Sequence, residues 1–597
     1  MTQKRRRDYR LISRVATERL EFLLILALAV VTIGLGFIGF CSHLNPEDYS
    51  WLTMFHKSIQ LLLIEGGDFR EPVNPYLIIA RSTGVLVFGY AIIKSLFLIF
   101  LTPDRATKNQ VLIRRLNRHH VVCGLGTLGG SIANAWAASG KQVLVLDREL
   151  ADDDFENLVD RGIAVVRGEA ADALNLVAAG IDTAAVCVVC CGGDGANAAV
   201  AMAVMDRRMD PKSGEAMELL THIRDQNVFT LLQNREKNLG AMDRIDLRKF
   251  DMVSSASKHQ LKDHPLDHRP IDPNGQSFVQ VIFAGWSTLS EGMLKAVAAQ
   301  CHMPNKVKVR AVLAFANATE VHQNILFRYP QIGNILDITE VPFPPDSTGG
   351  AARIRELACD AEAVTTIFLS MGDDDMTLKT AMGLHSVLFG LDLPLFLVSS
   401  RPDRLRLLFD GMNQKPRLGV FGINDPAREL ANQAEPTVEM IAQALHQIYL
   451  DGQTKNREKN PGENTPIGPA EVPWARLPEE YRTDNRDNAG HWEYKLRTIG
   501  RELVRESKND TRPTANLTDA EIEILSMLEH QRWNANKWLQ GWKWGPARDN
   551  IQRLHQDLIP YSELSEETKE KDRQTIRALI ELDRRGFRIV RMAPKAV

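Results

Sequence analysis

The stretch that decides the fold is "HHVVCGLGTLGGSIANAWAASGKQVLVLDREL", residues 119–150. A short apolar strand runs into a glycine-rich turn with Gly124, Gly126 and Gly129, and an amphipathic helix follows. A second apolar strand then ends at Asp147. The first glycine allows a tight turn, the second lets a phosphate approach the backbone, and the third lets the helix pack close to the strand. This order of elements predicts a nucleotide-binding Rossmann fold.

Two further features of this stretch concern the ligand. The N-terminus of the helix offers free N–H groups and a positive dipole end to phosphates. Asp147 lies 21 residues after Gly126, where a carboxylate can hold a ribose hydroxyl. The alternative, a Rossmann fold that has lost its ligand, stays open at this point.

Strands and helices go on alternating after this stretch, which predicts a doubly wound parallel sheet. Further strands are expected in "GIAVVRGEA" (162–170), "AAVCVVCCGGDGANAAVAMAVM" (184–205) and "ELLTHIRD" (218–225). The pattern then repeats in three later segments, residues 277–301, 363–384 and 393–400. The prediction is therefore two tandem Rossmann units, at residues 118–265 and 276–450.

The second unit departs from the glycine pattern of the first. Its turn reads Gly285-Trp286-Ser287-Thr-Leu-Ser290, so only the first glycine remains. Trp286 would crowd a phosphate. We therefore expect this unit to be structural, or to bind something other than a dinucleotide.

Two long apolar runs precede the Rossmann units. Residues 22–42 contain 21 residues without a charge, and residues 82–102 have the same length with one charge, Lys94. A helix of about 20 apolar residues crosses a bilayer, and a signal peptide has a shorter apolar core. The sequence predicts transmembrane helices at 20–42 and 75–102, within a membrane unit at 20–102.

The charges around these helices predict their orientation. Residues 1–19 form a basic N-terminus with seven Lys and Arg against two acids, and residues 103–120 carry five against one. The connecting segment 43–74 carries two basic residues and five acids. Positive segments stay on the cytoplasmic side. Both termini are expected in the cytoplasm, with the chain in the inner (plasma) membrane.

The segment between the two helices is interpreted as a re-entrant pore hairpin at residues 51–69, with a short helix and a turn. The alternative is an amphipathic helix on the outer surface, with Trp51 and Phe55 at the membrane interface. In a pore, acidic rings from several subunits would favour cations. The predicted pore residues are Glu65, Gly66, Gly67, Asp68 and Lys94. Lys94 either faces a water-filled vestibule or reaches toward the cytoplasmic end.

The C-terminal part has a different composition. Residues 451–472 are polar and rich in Gly, Pro and Asn, which indicates a linker. Six of the nine tryptophans then lie between residues 474 and 544. One helix is expected after a Thr518 cap and another after a Ser565 cap. Neighbouring basic and aromatic side chains suit a planar anionic ligand, and they suit an ordinary small core equally well.

Charge and cysteine content narrow the function. The net charge is only −3, so no nucleic-acid partner is expected. The seven cysteines show no paired metal-binding spacing, and no metal site is expected. Cys190 and Cys191 lie in an apolar run, and we interpret them as buried thiols of a strand. No set of catalytic residues accompanies the glycine turn, so we do not expect an enzyme.

The first unit resembles the TrkA-N family, the regulator-of-K⁺-conductance (RCK) family. The resemblance is carried by "VVCGLGTLGGSIANAWAASGKQVLVLD", "VRGEAAD" and "CCGGDGANAAVA". It implies NAD, ADP or ATP as the ligand, and Glu169 departs mildly from the Asp that is usual there. The residues implied to contact the nucleotide are Gly124, Gly126, Thr127, Leu128, Gly129, Asp147, Arg148, Gly168, Glu169 and Gly193.

The C-terminal part, residues 473–597 with a helical lead-in at 482–496, resembles the RyR domain, first named from ryanodine receptors. The matching residues are His530, Trp533, Gly541, Trp542, Gly545, His555, Tyr561, Lys571 and Asp572. The resemblance implies a bacterial sensor of a nucleotide-derived messenger, often in antiviral defence. The residues expected to bind it are His530, Trp533, Trp542, Trp544, Arg548, Tyr561 and Lys571.

The membrane unit is similar to two-helix K⁺ channels, with one departure. A K⁺ filter uses a Thr-Val-Gly-Tyr-Gly type segment, and this chain has only Gly66-Gly67-Asp68 at the matching place. The leading hypothesis is a ligand-gated cation channel, a homo-oligomer of four subunits or another small number. The alternatives are a non-conducting nucleotide-binding regulatory subunit of a cation transporter and a membrane-anchored NAD-dependent oxidoreductase.

Overall fold

The computed structural model of the chain describes most of its residues in two compact units, Met1–Val111 and Leu112–Val597. The described residues are 24–42, 50–63, 74–101, 104–209, 215–240, 244–269, 271–399, 402–409, 415–423, 436–459, 468, 470–505, 512–582 and 586–592.

The N-terminal unit is helical. Its helices are α1 (Leu24–Ser42), α2 (Trp51–Gln60) with a 3₁₀ turn at Leu61–Leu63, and α3 (Pro75–Leu101). Helix α1 and the Pro75–Ser95 part of α3 are long and apolar enough to cross a membrane. The bounds agree with the predicted helices at 20–42 and 75–102. A further helix, α4 (Arg105–Arg114), follows α3 in the chain.

Helix α2 and its 3₁₀ turn pack against both long helices. Leu61 is 1% exposed and lies in a small core with residues of α1 and α3. A Cβ atom on Gly84 of α3 would lie 2.2 Å from the Leu61 carbonyl oxygen, and one on Gly36 of α1 would lie 2.9 Å from Leu61 Cδ1. Small residues at these two positions therefore let the segment pack against both helices. Trp51 and Phe55 remain exposed on its other face.

The predicted pore residues divide into two groups. Glu65, Gly66, Gly67 and Asp68 lie outside the described residues. Lys94 lies on α3, where its Nζ donates a hydrogen bond to the hydroxyl of Tyr90 at 2.9 Å and lies 5.4 Å from the centre of that ring.

The first Rossmann unit is a parallel six-stranded sheet with the order β3-β2-β1-β4-β5-β6. Chain order changes direction between β1 and β4, and ligands bind at such a switch point. Its strands are β1 (His120–Cys123), β2 (Val143–Asp147), β3 (Ala164–Arg167), β4 (Val186–Val189), β5 (Met217–His222) and β6 (Ile245–Phe250). Its helices are α5 (Thr127–Ala138), α6 (Asp152–Asp160), α7 (Ala173–Ala178), α8 (Asp194–Arg208), α9 (Gln226–Leu239) and α10 (Met252–Asp263).

The second Rossmann unit repeats this topology, with the order β12-β11-β10-β7-β8-β9. Read from β9, it has the same strand order as the first unit, so the predicted tandem fold is confirmed. The strands are β7 (Phe278–Ala284), β8 (Val309–Ala314), β9 (Leu336–Val341), β10 (Ala363–Leu369), β11 (Pro394–Val398) and β12 (Arg417–Phe421). The helices are α11 (Thr288–Gln300), α12 (Ala318–Arg328), α13 (Thr348–Ala358), α14 (Asp374–Val387) and α15 (Pro402–Phe409).

The predicted linker at 451–472 needs a correction at its beginning. Helix α16 (Pro436–Lys459) continues through the predicted boundary at residue 450. Residues 452–459 are polar because they form an exposed end of this helix, and composition alone does not separate such an end from a linker.

The C-terminal module begins with the lead-in helix α17 (Glu479–Thr498). Its strands are β13 (Arg501–Arg505), β14 (Lys543–Trp544), β15 (Leu554–His555) and β16 (Phe587–Arg591), and its other helices are α18 (Asp519–Leu539) and α19 (Glu566–Leu582). Strand β13 pairs antiparallel with β16. Thr518 forms the predicted cap of α18 in a reciprocal pair with Glu521, and Ser565 accepts from the N–H of Thr568 as the predicted cap of α19.

Candidate functional site

The glycine-rich turn after β1 has two positions where only glycine fits. Gly124 has a φ of +94°, and a Cβ atom there would lie 2.6 Å from the Cys190 carbonyl oxygen. A Cβ atom on Gly129 would lie 1.8 Å from the Gly124 carbonyl oxygen. These glycines therefore allow the tight turn and the close packing of α5 that the sequence predicts.

Gly126 has a different role, because the space beside it is open. No heavy atom lies within 4 Å of a Cβ atom built on this residue, and it precedes α5 without a side-chain cap. The first N–H groups of α5 therefore have no capping side chain, and the positive end of the helix dipole is exposed. Thr127 is exposed at the first helical position, whereas Leu128 is half-buried in the core beneath the turn.

Asp147 fixes this turn to the end of β2. One carboxylate oxygen accepts a hydrogen bond from the Leu125 N–H at 2.6 Å, and the other accepts from the Glu149 N–H at 2.8 Å. A carboxylate has about four acceptor positions, so both oxygens keep capacity for a ribose hydroxyl. The predicted acid therefore lies beside the glycine turn, and it also has a structural role there.

Four predicted residues, Asp147, Arg148, Gly168 and Glu169, meet where β2 and β3 end. The Gly168 N–H donates to the Asp147 carbonyl at 3.0 Å, and Arg148 lies 3.3 Å from the carboxylate of Glu169. Asn175 packs on Gly168 and donates to the Glu169 carbonyl at 3.0 Å. The Arg148 and Glu169 side chains are exposed, so both can turn toward a ligand.

The end of β4 completes this edge of the sheet. Gly193 precedes α8, with open space beside it and no side-chain cap. Sequence reasoning missed two residues here. Asn197 accepts from the Cys191 N–H at 2.6 Å and donates to the His222 carbonyl at 2.8 Å, and Asp194 accepts from the Asp225 N–H at 2.8 Å. The only sequence signal for the first was a lone Asn among small residues, in "GANAAVA".

The two adjacent cysteines correct one interpretation. Strand β4 ends at Val189, so Cys190 and Cys191 lie beyond the strand and are half-buried at the same edge. Burial raises the pKa of both thiols, that of Cys191 to about 12. Both thiols are therefore protonated at neutral pH and are weak nucleophiles.

The edge thus combines two helix N-termini without side-chain caps, an acid that fixes the turn and an arginine. The helix N-termini favour phosphate groups, and Asp147 favours a hydroxyl. The second unit differs at the matching place, because the Ser287 hydroxyl already accepts from the Ser290 N–H at 3.3 Å and caps α11. Trp286 is half-buried there, with its ring centre 5.8 Å from that of Phe315.

The predicted ligand residues of the C-terminal module fall into a packed cluster and an exposed group. The ring centres of Trp533 and His555 lie 4.9 Å apart, and those of Trp542 and His555 lie 6.2 Å apart. Trp544 is 58% exposed, and Arg548 and Lys571 are exposed. Arg548 Nε donates to Asn550 at 2.9 Å.

His530 is buried beside this cluster and has a structural role. It is 2% exposed, and its Nε2 lies 2.8 Å from the Ile559 carbonyl. Its Nδ1 lies 3.3 Å from Asp572, whose pKa is raised by burial. Tyr561 lies beside it, with ring centres 5.9 Å apart. His530 therefore holds α18 to the segment before α19.

A buried ionic cluster joins α17 to α18. Arg532 forms two hydrogen bonds to Glu529, at 2.7 and 2.9 Å, and Lys495 donates to the same carboxylate. The three residues are at most 6% exposed. Burial lowers the pKa of Lys495 to about 8, although Glu529 opposes this shift.

Helix α17 also contacts the first Rossmann unit through ion pairs. The pairs are Arg482–Asp246 at 3.0 Å, Lys258–Asp487 at 2.7 Å and Lys262–Glu493 at 3.1 Å. A fourth pair, Arg497–Asp267 at 2.8 Å, joins the helix to the segment between the two Rossmann units. Tyr494 of the same helix lies in the core of the second Rossmann unit. One helix therefore connects the C-terminal module with both Rossmann units.

Two histidines at this junction predict a pH dependence. Burial lowers the pKa of His302 to about 4 and that of His491 well below its ordinary value of 6.5. Below pH 6.5 the unfolded chain binds protons that the folded chain does not, so stability falls as the pH falls. We expect a loss of about 1.4 kcal/mol per histidine for each pH unit below 6.5. Urea unfolding between pH 7.5 and 5.5 measures this slope, which His302→Gln should reduce. An identical slope in that variant would contradict the assignment.

Known protein families match two parts of the chain. The TrkA-N domain model matches residues 120–251, and the RyR domain model matches residues 515–589. No curated protein matches the chain.

Several solved structures are similar at low identity. The structure of GsuK bound to ADP has 12% identity and a TM-score of 0.35, and covers 70% of this chain and 98% of that one. The structure of the GsuK channel bound to NAD has 10% identity and a TM-score of 0.36, and the match covers 71% of this chain and 84% of that one. The two matches lie within the predicted units, so the chain contains a TrkA-N domain followed, after a second Rossmann unit, by a RyR domain.

Proposed function

We propose that the protein is a nucleotide-regulated cation channel of a bacterial inner membrane. The observation that carries the proposal is the edge of the first sheet, where Gly126 leaves the N-terminus of α5 uncapped and open beside Asp147. A nucleotide of the NAD, ADP or ATP class would place its phosphates there. The TrkA-N match over residues 120–251 supports this assignment.

The permeation path is assigned to the N-terminal unit. Helices α1 and α3 are candidate membrane helices, and the α2 segment packs against both of them. A path along an axis requires several subunits, and we propose a homo-oligomer with four of them. The acidic pair Glu65 and Asp68 would favour cations, K⁺ among them, and Lys94 would lie further along the path.

The proposed control of ion flow depends on the thermodynamic linkage between nucleotide binding and channel opening. A nucleotide shifts the channel between closed and open states only if it binds the two states with different affinity. Only residues 102–119 connect α3 to β1, so we expect a movement of the sheet to act on α3 through this short segment. Both termini lie in the cytoplasm in this proposal, and no chemical reaction is part of it.

The RyR domain supplies a second input in this proposal, with a nucleotide-derived messenger as its ligand. Helix α17 connects it to both Rossmann units through three of these ion pairs and the buried Tyr494. The RyR domain also contacts the first Rossmann unit directly, because Arg553 donates a hydrogen bond to Asn227 of that unit at 3.0 Å.

Purified full-length protein in planar bilayers tests the proposal. Cation currents that change with NAD, ADP or ATP on one side are expected. A second candidate is a non-conducting regulatory subunit of a cation transporter, favoured by the lack of a Thr-Val-Gly-Tyr-Gly segment in the sequence. Silence with every nucleotide and ion, together with measurable nucleotide binding, would favour that candidate.

The contact between Gly84 and Leu61 gives a prediction for the path. A side chain at residue 84 would meet the Leu61 carbonyl oxygen at 2.2 Å and must displace the α2 segment. Gly84→Val is expected to reduce currents at least tenfold and to leave nucleotide binding unchanged. Gly89→Val on the same helix is the matched control, because no atom lies within 4 Å of a Cβ atom there. Equal currents in both variants would contradict the role of the hairpin.

A further inference from the structure

A cavity of about 340 Å³ lies between the RyR domain and the second Rossmann unit. One wall is a face of α18, with His530, Gln531, Asn534 and Trp538 at helical spacing. The loop after α11 and the segment around Tyr561 form the other walls. Ligand pockets begin at about 300 Å³, so the volume suits a small molecule.

The cavity contains a buried acceptor without a donor. Asn534 is 3% exposed, and its Nδ2 donates to the Ile559 carbonyl at 3.0 Å. That carbonyl already lies 2.8 Å from His530 Nε2, and an amide oxygen facing it would be repelled, so the amide oxygen of Asn534 points away from it. This oxygen has no hydrogen-bond partner among the described residues. The Oε1 atom of Gln531, three residues earlier and about one turn away on the same face, also has none. An unsatisfied buried acceptor costs about 1–3 kcal/mol.

The other residues that line the cavity indicate the charge of a matching ligand. Lys306 and Lys308 lie on the loop wall, and no Asp or Glu is among the described lining residues. His302, also on this wall, is neutral at pH 7 because burial lowers its pKa. Trp538 and Tyr561 add flat aromatic surfaces. A matching ligand therefore has N–H donors, a planar ring and an anionic group.

We propose that this cavity binds an anionic nucleotide that has an exocyclic amino group, with adenine as the best-fitting base. The amides of Gln and Asn recognise the amino edge of adenine in other complexes, and their oxygens accept from that amino group. The phosphate would lie near Lys306 and Lys308. The proposal rests on the sensing role proposed for the RyR domain and assigns it a site outside the cluster of Trp533, Trp542 and His555.

A ligand in this cavity would contact two domains at once. Ala535, Trp538 and Leu539 of α18 already pack in the core of the second Rossmann unit. Binding would therefore hold the RyR domain in one arrangement against that unit, which is the differential contact that coupling requires.

Adenosine 5′-monophosphate is the probe, and calorimetry measures its binding to the full-length protein in detergent. The protein carries the substitution Gly126→Asp, so that the first nucleotide site does not contribute. One bound molecule per chain is expected. Inosine 5′-monophosphate, which carries an oxygen in place of the amino group, is expected to bind at least tenfold more weakly. Failure of adenosine 5′-monophosphate to bind would overturn the proposal.

Variants of the cavity locate the site. Gln531→Leu and Lys306→Glu are each expected to weaken binding at least tenfold, and Lys306 is exposed, so its substitution leaves the fold intact. Lys543→Glu, at an exposed residue of β14, is the control and should bind as before, whereas Arg548→Glu, near the exposed Trp544, tests the aromatic cluster as the alternative site. Loss of binding in Arg548→Glu alone would overturn the proposal and assign the ligand to the aromatic cluster. These outcomes do not depend on whether the protein conducts ions.

Discussion

Gly126→Asp is expected to weaken nucleotide binding at the first Rossmann unit at least 100-fold and to leave the chain folded. An aspartate at this position places its carboxylate over the free N–H groups of α5, where the phosphates of a ligand would lie. This carboxylate repels the phosphates and accepts hydrogen bonds from the N–H groups that would otherwise bind them. A 100-fold loss corresponds to about 2.8 kcal/mol of binding free energy.

The same substitution does not harm the fold, for two reasons. The space beside Gly126 is open, and Asp is a good residue before a helix. We expect the free energy of unfolding to change by only a few tenths of a kcal/mol. Calorimetric titration with ADP or NAD, together with thermal unfolding, measures both effects.

Two glycines nearby serve as controls for this experiment. Gly130→Ala places its Cβ at an ordinary 3.7 Å from the Leu125 carbonyl oxygen and should keep nucleotide affinity. Gly129→Ala would meet the Gly124 carbonyl oxygen at 1.8 Å and should lose stability as well as affinity. Unchanged affinity in Gly126→Asp would contradict the assigned phosphate position.

The largest expected effect on stability is that of Glu529→Ala, about 3–5 kcal/mol. Glu529 is 5% exposed and pairs with both Lys495 and Arg532. Burial alone would raise its pKa, but the two cations hold it well below the ordinary value. Removing the carboxylate leaves two buried cations without their partner, which is much more costly than losing a surface ion pair.

Glu570→Ala is the matched control for Glu529→Ala. Glu570 pairs with Arg577 at 2.5 Å on α19, where the two side chains are 39% and 46% exposed. Exposed pairs contribute little, so we expect a change below about 1 kcal/mol. Urea unfolding of both variants measures the difference, and similar losses would contradict the importance of the buried cluster.

The sequence predicted the elements whose pattern is local. The glycine turn, Asp147 and the caps Thr518 and Ser565 depend on neighbours within a few residues, and the structure places them as expected. The tandem topology followed from the repeated strand and helix pattern.

Other features depend on distant residues and were not predicted. Strands β6, β8, β9 and β12 were not predicted. Three of them, β6, β9 and β12, lie at the edges of their sheets, where polar residues interrupt the apolar run. His530 reads as a ligand residue, but its partners Ile559 and Asp572 are 29 and 42 positions away in the chain. The cavity near Asn534 exists only because α18 packs on the second Rossmann unit, and periodicity within one segment does not show such a contact.

If a nucleotide bound at Gly126 controls ion flow, the open probability of the purified protein in planar bilayers depends on the ADP or NAD concentration. We expect a concentration-dependent change in the wild type, with a midpoint near the calorimetric affinity, and no dependence in Gly126→Asp over the same range. A wild type that is silent or indifferent to nucleotide, or a variant with an unchanged curve, would contradict this control of ion flow.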